Sequence, residues 1–451
     1  MRIVIVGCGK VGYTLAEVLN EEGHKLTVID NKEKNLLNLT DNLDVMGLTG
    51  NGSSYRVLTE AGIKDADLLI AVTNKDEINL LSCLVAKKAG NCRTIARVRH
   101  PEYYDEIRFI SEELGLFMAI NPELAAATDI FNLVRAPSAM EIDSFAKGKA
   151  NMVKLTLPNG SPWAGKRVKE LPIKGLPFLV SIIDRQGSVV IPNGDSMIKA
   201  GDNLYVVTAP SDMERLFTSI GVTTKLIKDV MIAGGGTISY YLANMLVKNK
   251  IKTTIIVPSF ERCQVLSELL PNAIIIHGDP TDQNILLEEG LANIDAFISL
   301  TDYDEENIML ALFAGKYSNA KLITKVDKMN FEKMVHNFPI GSIITPKAIT
   351  AEQMIRCVRS MQSAMNSNVE SVYKLADGRV ESLEFVVNGS SKVTNKPIRD
   401  LKLKDGVLIS TIIRNGKIVI PTGNDEIKIN DRVIVVTTQK KITDLQYILE
   451  G

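Results

Sequence analysis

Residues 2–12 read Arg2-Ile3-Val4-Ile5-Val6-Gly7-Cys8-Gly9-Lys10-Val11-Gly12, and residues 229–239 read Asp229-Val230-Met231-Ile232-Ala233-Gly234-Gly235-Gly236-Thr237-Ile238-Ser239. Each stretch is a short apolar run, a glycine-rich turn and the start of an amphipathic helical pattern. Gly7 and Gly234 stand 227 residues apart. A second pair of stretches, VIPNGDSMIKAGDNLYVV (190–207) and VIPTGNDEIKINDRVIVV (419–436), repeats at 229 residues. Near-constant offsets across half the chain mean a duplicated two-domain unit.

Working outward from residue 2, apolar runs at 3–6, 26–29, 45–48, 68–72, 94–98 and 117–120 alternate with helical patterns such as 11–22 and 76–89. Continuous apolar strands separated by helices predict a parallel sheet covered on both faces, in the doubly wound α/β layout. From about residue 150 the texture changes to short β-branched runs with turn signals, including Asn193-Gly194, and 212–220 closes as a helix. The α/β texture restarts at Lys228, with runs at 230–233, 253–257, 273–276, 296–300, 322–326 and 342–345. Residues 351–368 read as a helix and connector, and the β-rich module returns from about Val369. The expected fold is therefore two doubly wound parallel-sheet domains, 1–135 and 228–350, each followed by a small α+β domain, 140–222 and 367–451.

Composition narrows the classes. The 451 residues are 45% hydrophobic and 23% charged with a formal net charge of −1, an ordinary globular balance. With no basic tract, a nucleic-acid partner is not expected. No apolar run approaches membrane-spanning length. The N-terminal run imitates a signal peptide, but a glycine turn interrupts it, and it reads better as a first strand. Cys8, Cys83, Cys92, Cys263 and Cys357 form no C-x-x-C pair and read as reduced, buried thiols of a cytosolic protein.

The first glycine motif is a full dinucleotide fingerprint. Gly7 permits the turn, Gly9 lets backbone approach a pyrophosphate, and Gly12 packs helix on strand. The helix start at Lys10 and Val11, with Cys8 in the loop, offers N–H groups to phosphate. Asp30, at the end of the second strand, suits ribose hydroxyls and disfavours a 2′-phosphate, which favours NAD over NADP. Thr73 and Asn74 follow the fourth strand, where either ligand contact or capping fits them, and Asp76 is expected to cap the helix. Arg97 and Arg99 end the fifth strand, where phosphate contact and ion pairing are both open.

The second copy departs from this pattern. Gly234, Gly235, Gly236, Thr237 and Ile238 keep the turn, while Ser239 replaces the third glycine and Pro280 replaces Gly52. The second strand ends in IIVPSFERC (255–263), with Val257 or Pro258 where an acid would sit unless Glu261 reaches back. Asp279, Thr301 and Asp302 keep the matching loops polar. Nowhere do His24, His100, His277 or His336 form a catalytic or metal-ligating pattern with other residues. His100 is the best single candidate for an acid, with a helix-start histidine as its plainer reading.

These motifs, together with GNGSS (50–54), AVTNKDEINLL (71–81), RVRHPEY (97–103), INPE (120–123), HGDPTDQNILLEEG (277–290) and LTDYDEENIMLAL (300–312), resemble the TrkA family, over essentially the whole chain. That family comprises cytosolic regulatory subunits of bacterial and archaeal Trk potassium uptake systems. The resemblance implies tandem RCK units, each a Rossmann-like RCK_N domain and an RCK_C domain. It also implies a homotetramer whose eight RCK_N domains form a ring under a membrane potassium channel subunit of TrkH or TrkG type, on the inner face of the membrane. Nucleotides, NAD(H) and also ATP or ADP, gate the channel through the ring. Carried over by residue, the first site comprises Gly7, Gly9, Lys10, Val11, Gly12, Asp30, Thr73, Asn74 and Arg97, and a weaker second set Gly234, Gly236, Thr237, Asp279 and Thr301. INPE and ITPK (344–347) begin the crossover helices that pair RCK domains. Two alternatives stay open on the residues: an NAD-dependent oxidoreductase, and an RCK accessory subunit of another channel or antiporter.

Overall fold

The computed structural model describes residues 1–450 apart from 137–138, 146–147, 172–174, 223–225, 328–337, 367–368, 377, 440–441 and 443. Its first sheet is built from β1 (Arg2–Val6), β2 (Lys25–Asp30), β3 (Met46–Thr49), β4 (Leu68–Ala71), β5 (Arg93–Arg97) and β6 (Met118–Ile120) in the order β3-β2-β1-β4-β5-β6. Every pairing is parallel. This is the expected doubly wound order, with its switch point between β1 and β4. Helices α1 (Lys10–Glu21), α2 (Glu33–Thr40), α3 (Tyr55–Glu60), α4 (Asp76–Ala89), α5 (Pro101–Ile110) and α6 (Pro122–Arg135) connect and follow the strands. All four residues of β4 are buried, as a strand covered on both faces requires. On α1, Val11, Leu15 and Leu19 recur at four-residue spacing and are buried.

The second half repeats this plan. Strands β12 (Asp229–Ala233), β13 (Lys252–Val257), β14 (Ile274–His277), β15 (Ala296–Ser299), β16 (Lys321–Lys325) and β17 (Ser342–Ile344) lie in the order β14-β13-β12-β15-β16-β17. Its helices are α8 (Thr237–Lys248), α9 (Phe260–Leu269), α10 (Gln283–Glu288), α11 (Asp304–Tyr317) and α12 (Pro346–Asn366). The last starts at Pro346, earlier than its residue pattern suggests, because proline suits a helix's first turn, where its missing N–H costs nothing.

The β-rich modules are antiparallel sheets. The first contains β7 (Glu141–Phe145), β8 (Ala150–Thr156), β9 (Phe178–Arg185), β10 (Ser188–Val190) and β11 (Asn203–Thr208), ordered β10-β9-β11-β8-β7, and is followed by α7 (Met213–Ser219). Strand β7 is not signalled by the sequence pattern. The β9–β10 hairpin turns on Gln186 and Gly187, both at positive φ (50° and 85°), the geometry of a tight primed turn. The second module has β18 (Val369–Leu375), β19 (Val380–Val386), β20 (Val407–Arg414), β21 (Lys417–Val419) and β22 (Arg432–Thr437), ordered β18-β19-β22-β20-β21. The modules pack together, with Phe145, Ile182 and Tyr205 of one in a common core with Val380, Ile413 and Ile434 of the other.

The two halves exchange helices. Ala126, Ala127, Ile130 and Leu133 of α6 share a core with Tyr241, Leu242 and Leu246 of α8. In return, Ala351, Met354, Ile355 and Val358 of α12 share a core with Val11, Leu15 and Leu19 of α1. Polar links lock the exchange: Asn121 Nδ2 donates to the Tyr241 hydroxyl at 3.0 Å, and Arg359 Nε donates to Glu22 Oε1 at 2.9 Å. Among the described residues, no helix is long and apolar enough to cross a membrane.

Candidate nucleotide-binding site

A cleft of about 780 Å³ opens at the carboxyl ends of β1, β2, β4 and β5. Gly7, Gly9, Lys10, Val11, Asp30, Thr73, Asn74 and Arg97 line it, as do Asn35, Gly50, Asn51 and Gly52. Two residues of the expected set do not. Cys8 is buried behind the wall, donating its N–H to Asp30 Oδ2 (2.7 Å) and its thiol to the Asn35 carbonyl (3.3 Å). Gly12 lies beneath the turn, where an added Cβ would stand 1.9 Å from the Gly7 carbonyl oxygen. The third glycine of the fingerprint thus acts on packing alone. Gly7 itself has φ +105°, and a Cβ there would approach Thr73 N to 2.9 Å.

The backbone of α1 presents an anion site. Its first helical hydrogen bond runs from Tyr13 N to Gly9 O (2.8 Å), which leaves the N–H groups of Lys10, Val11 and Gly12 ahead of the ladder. Asp30 is held facing this loop. Besides Cys8, its Oδ1 accepts from Lys32 N (2.9 Å) and Asn35 Nδ2 (3.1 Å). Oδ2, which accepts one bond here, retains lone-pair capacity for a ribose hydroxyl.

At the other end, Asn79 of α4 organises the wall. Its Oδ1 accepts from Thr73 N (2.8 Å) and Thr73 Oγ1 (2.7 Å), and its Nδ2 donates to the Arg97 carbonyl (2.9 Å). Arg97 Nη2 donates to the Thr73 carbonyl (2.8 Å). Burial lowers the Arg97 pKa, as does the neighbouring Arg99, against the pull of Glu123 and Asp76. Its Nε is buried without a hydrogen-bond partner among the described residues. Asp76 does not cap α4, whose N-cap is Lys75. Instead its Oδ2 accepts from the backbone N–H groups of Arg99 (2.8 Å) and His100 (2.9 Å), tying the strand-five loop to the helix. Arg99 meets Asp76 Oδ1 at 3.7 Å and so is paired. His100 stands at the start of α5, its side chain 56% exposed.

Sequence reasoning missed Lys347. It belongs to α12 of the second half yet lines the first cleft, while pairing with Asp327 Oδ2 at 3.2 Å. Only the quoted ITPK motif marks it, and nothing in that motif points at a site more than two hundred residues away. With Lys347 the lining holds five cations (Lys10, Lys32, Lys75, Arg97, Lys347) against one carboxylate, Asp30. A ribose acceptor beside a helix N-terminus with free N–H groups, in a cleft with an excess of cations, fits a nucleotide di- or triphosphate. Among the described residues, no group of His, Cys, Asp or Glu could hold a metal ion.

In the second half, Gly234 (φ +109°) makes the same turn, and Gly235, Gly236, Thr237 and Ile238 lead into α8. Thr301 repeats Thr73, with its N–H bonded to Asn307 Oδ1 at 2.8 Å. Asp279 closes its own loop, accepting from Thr281 N (2.8 Å) and Oγ1 (2.7 Å). The acid expected at the end of β2 is Val257 here, 2% exposed. Glu261 does not replace it, because its carboxylate is solvent-exposed and bonded by Ser259 Oγ at 2.9 Å.

Comparison with known proteins agrees with this architecture. The TrkA-N domain matches residues 3–122 and 230–346, and the TrkA-C domain matches 152–221 and 383–449. The chain is 33% identical to the Trk system potassium uptake protein TrkA of Vibrio alginolyticus, covering 100% of this chain and 99% of that one. It is 32% identical to the TrkA homolog of Archaeoglobus fulgidus, over 99% and 100%. Among solved structures, the GsuK channel bound to NAD superposes with a TM-score of 0.63 at 19% identity, covering 97% of this chain and 77% of that chain. The GsuK RCK domain gives 0.64 at 18% identity, covering 97% and 92%. With both domain types matched twice in series and full-length relatives above 30% identity, the chain belongs to the TrkA family.

Proposed function

We propose that this protein is a non-catalytic, nucleotide-sensing regulatory subunit of a potassium uptake system. It binds NAD(H), and also ATP or ADP, in the first cleft. Lys10, Val11 and the Gly7–Gly9 turn bind the phosphates, Asp30 the adenosine ribose, and Thr73, Asn74 and Arg97 the distal part of the ligand. One observation carries the reading: the cleft is walled by both halves, because Lys347 lines it and α12 packs on α1, whose first residues Lys10 and Val11 line it too. A ligand that favours one arrangement of these elements shifts the population by its differential affinity. Its partner in this reading is a membrane potassium channel subunit of TrkH or TrkG type, met as a homotetrameric RCK ring on the cytoplasmic face. The names of the full-length relatives support the potassium uptake role, and the name of the NAD-bound GsuK channel supports the ligand class.

The test is to reconstitute the full chain with such a channel subunit in potassium-loaded liposomes and titrate NAD+, NADH, ATP and ADP. Nucleotide-dependent flux without consumption of nucleotide is the expected result. Turnover of NADH with an added substrate would favour the oxidoreductase alternative, and binding without any effect on flux would remove the regulatory role.

A further inference from the structure

The two halves hold their glycine loops with opposite chemistry. In the first, the loop N–H of Cys8 donates to Asp30 Oδ2 (2.7 Å), and Asn35 supports the same carboxylate at 3.1 Å. At the matching places of the second half, Asp30 is replaced by Val257, Asn35 by Arg262 and Cys8 by Gly235. There Arg262 Nε donates to the Gly235 carbonyl at 2.7 Å. A loop once held by an acid is now held by a guanidinium.

That single bond leaves most of Arg262 available. The side chain is half-buried, and its two terminal nitrogens have no bonded partner among the described residues. Its backbone N–H is fixed by Ser259 Oγ (3.2 Å), so the guanidinium is anchored at both ends of its stem. Phe260, 58% exposed, lies edge-on to His277 at a ring distance of 5.5 Å, giving an apolar surface beside the strand ends. The adjoining acid, Glu261, is exposed and engaged by Ser259, where solvent screens it.

We infer that the second Rossmann-like domain takes an adenine nucleotide carrying a 2′-phosphate on its adenosine ribose, the chemistry of NADP(H), with Arg262 as the phosphate ligand. A carboxylate at the end of the second strand binds ribose hydroxyls and repels a 2′-phosphate, whereas an arginine beside an apolar strand end does the reverse. The inference rests on the reading that this half binds a nucleotide. The two domains would then report different nucleotide pools through one interlocked pair.

The test uses the full chain with Gly9→Val, which puts a side chain on the glycine turn that lines the first cleft while its Cβ meets no protein atom within 4 Å. NADP+, NAD+, 2′-phospho-AMP and 3′-phospho-AMP are titrated by calorimetry against this background, alone and with Arg262→Gln, which keeps a donor for Gly235 O but removes the charge. NADP+ should bind at least about ten-fold tighter than NAD+, with that preference reduced to about two-fold or less in Arg262→Gln. Binding of the 2′ rather than the 3′ phosphate assigns the position, and preference for the 3′ isomer overturns it. Equal or tighter binding of NAD+ overturns the inference while leaving the nucleotide reading of this half intact. No binding by any of the four overturns both.

Discussion

Ser181 and Ser410 hydrogen-bond to each other through their hydroxyls at 2.9 Å. They stand 229 residues apart, the same offset that relates the two β-rich modules, so equivalent residues meet across a local two-fold. The chain therefore carries within itself an isologous pairing of the kind usually made between two subunits. Its helix exchange has the same reciprocity. Where the halves differ in charge, as at Asp30 and Val257, the difference is set against a common frame.

Removing the first-site carboxylate should weaken adenosine binding. Asp30→Ala is expected to reduce NAD(H) affinity by about ten-fold or more, given one or two lost charge-assisted hydrogen bonds. Calorimetric titration checks this, and unchanged affinity for every nucleotide would remove the first-site assignment.

Lys347 should matter most for ligands with the most phosphate charge. Lys347→Gln is expected to weaken ATP binding by several-fold while altering thermal stability little, because its ion pair with Asp327 is partly exposed and worth at most about 1 kcal/mol. Equal losses for ATP and adenosine would argue against a phosphate contact.

Gly12→Ala should be a stability lesion, since its Cβ would lie 1.9 Å from the Gly7 carbonyl oxygen. Relieving that contact requires backbone movement, at a cost of about 1–3 kcal/mol, read as a lower unfolding midpoint without ligand.

Asp202 of the first β-rich module is 1% exposed and receives both Arg185 Nε and Nη2 at 2.7 Å, as well as Lys199 N at 2.8 Å. Burial pushes the carboxyl up, but the Arg185 and Lys199 bonds outweigh that and leave its pKa below the ordinary value. Its contribution is thus present above the usual carboxylate range and lost as pH falls through and below it. Asp202→Asn is expected to destabilise at pH 7 by about 1–2 kcal/mol, because the buried site loses charge-assisted hydrogen bonds while the partly exposed Arg185 is hydrated instead. At low pH the gap to the parent chain should narrow. Asp431 of the second module receives the matching bidentate contact, from Arg414 Nε at 2.9 Å and Nη2 at 2.7 Å.

Asp129 on α6 runs the other way. Burial raises its pKa to about 6, with Arg356 opposing and Glu352 and Glu141 adding. Between the ordinary carboxyl value near 4 and this one, the folded chain holds a proton the unfolded chain has released. Stability from this group therefore falls as pH rises through that window. Asp129→Asn should raise the melting temperature at pH 7.5, by on the order of 1 kcal/mol of stability, and leave it unchanged at pH 4. A lower midpoint at pH 7.5 would refute this.

The duplication, both doubly wound sheets and the inequality of the two glycine loops are legible in the order of residues alone. These are local matters: β4 is a continuous apolar run because both its faces are buried, and Gly7 is glycine because its φ is +105°. Local pattern did not reveal β7, whose strand exists through its pairing with β8, nor the task of Asp76, whose acceptors face a loop more than twenty residues away. The place of Lys347 in the other half's cleft and the grip of Arg262 on the Gly235 carbonyl emerge only from the packed fold. Both depend on where a long side chain is carried by an element packed from elsewhere in the chain. Residue spacing encodes periodicity along one element, whereas a site is made by the convergence of several.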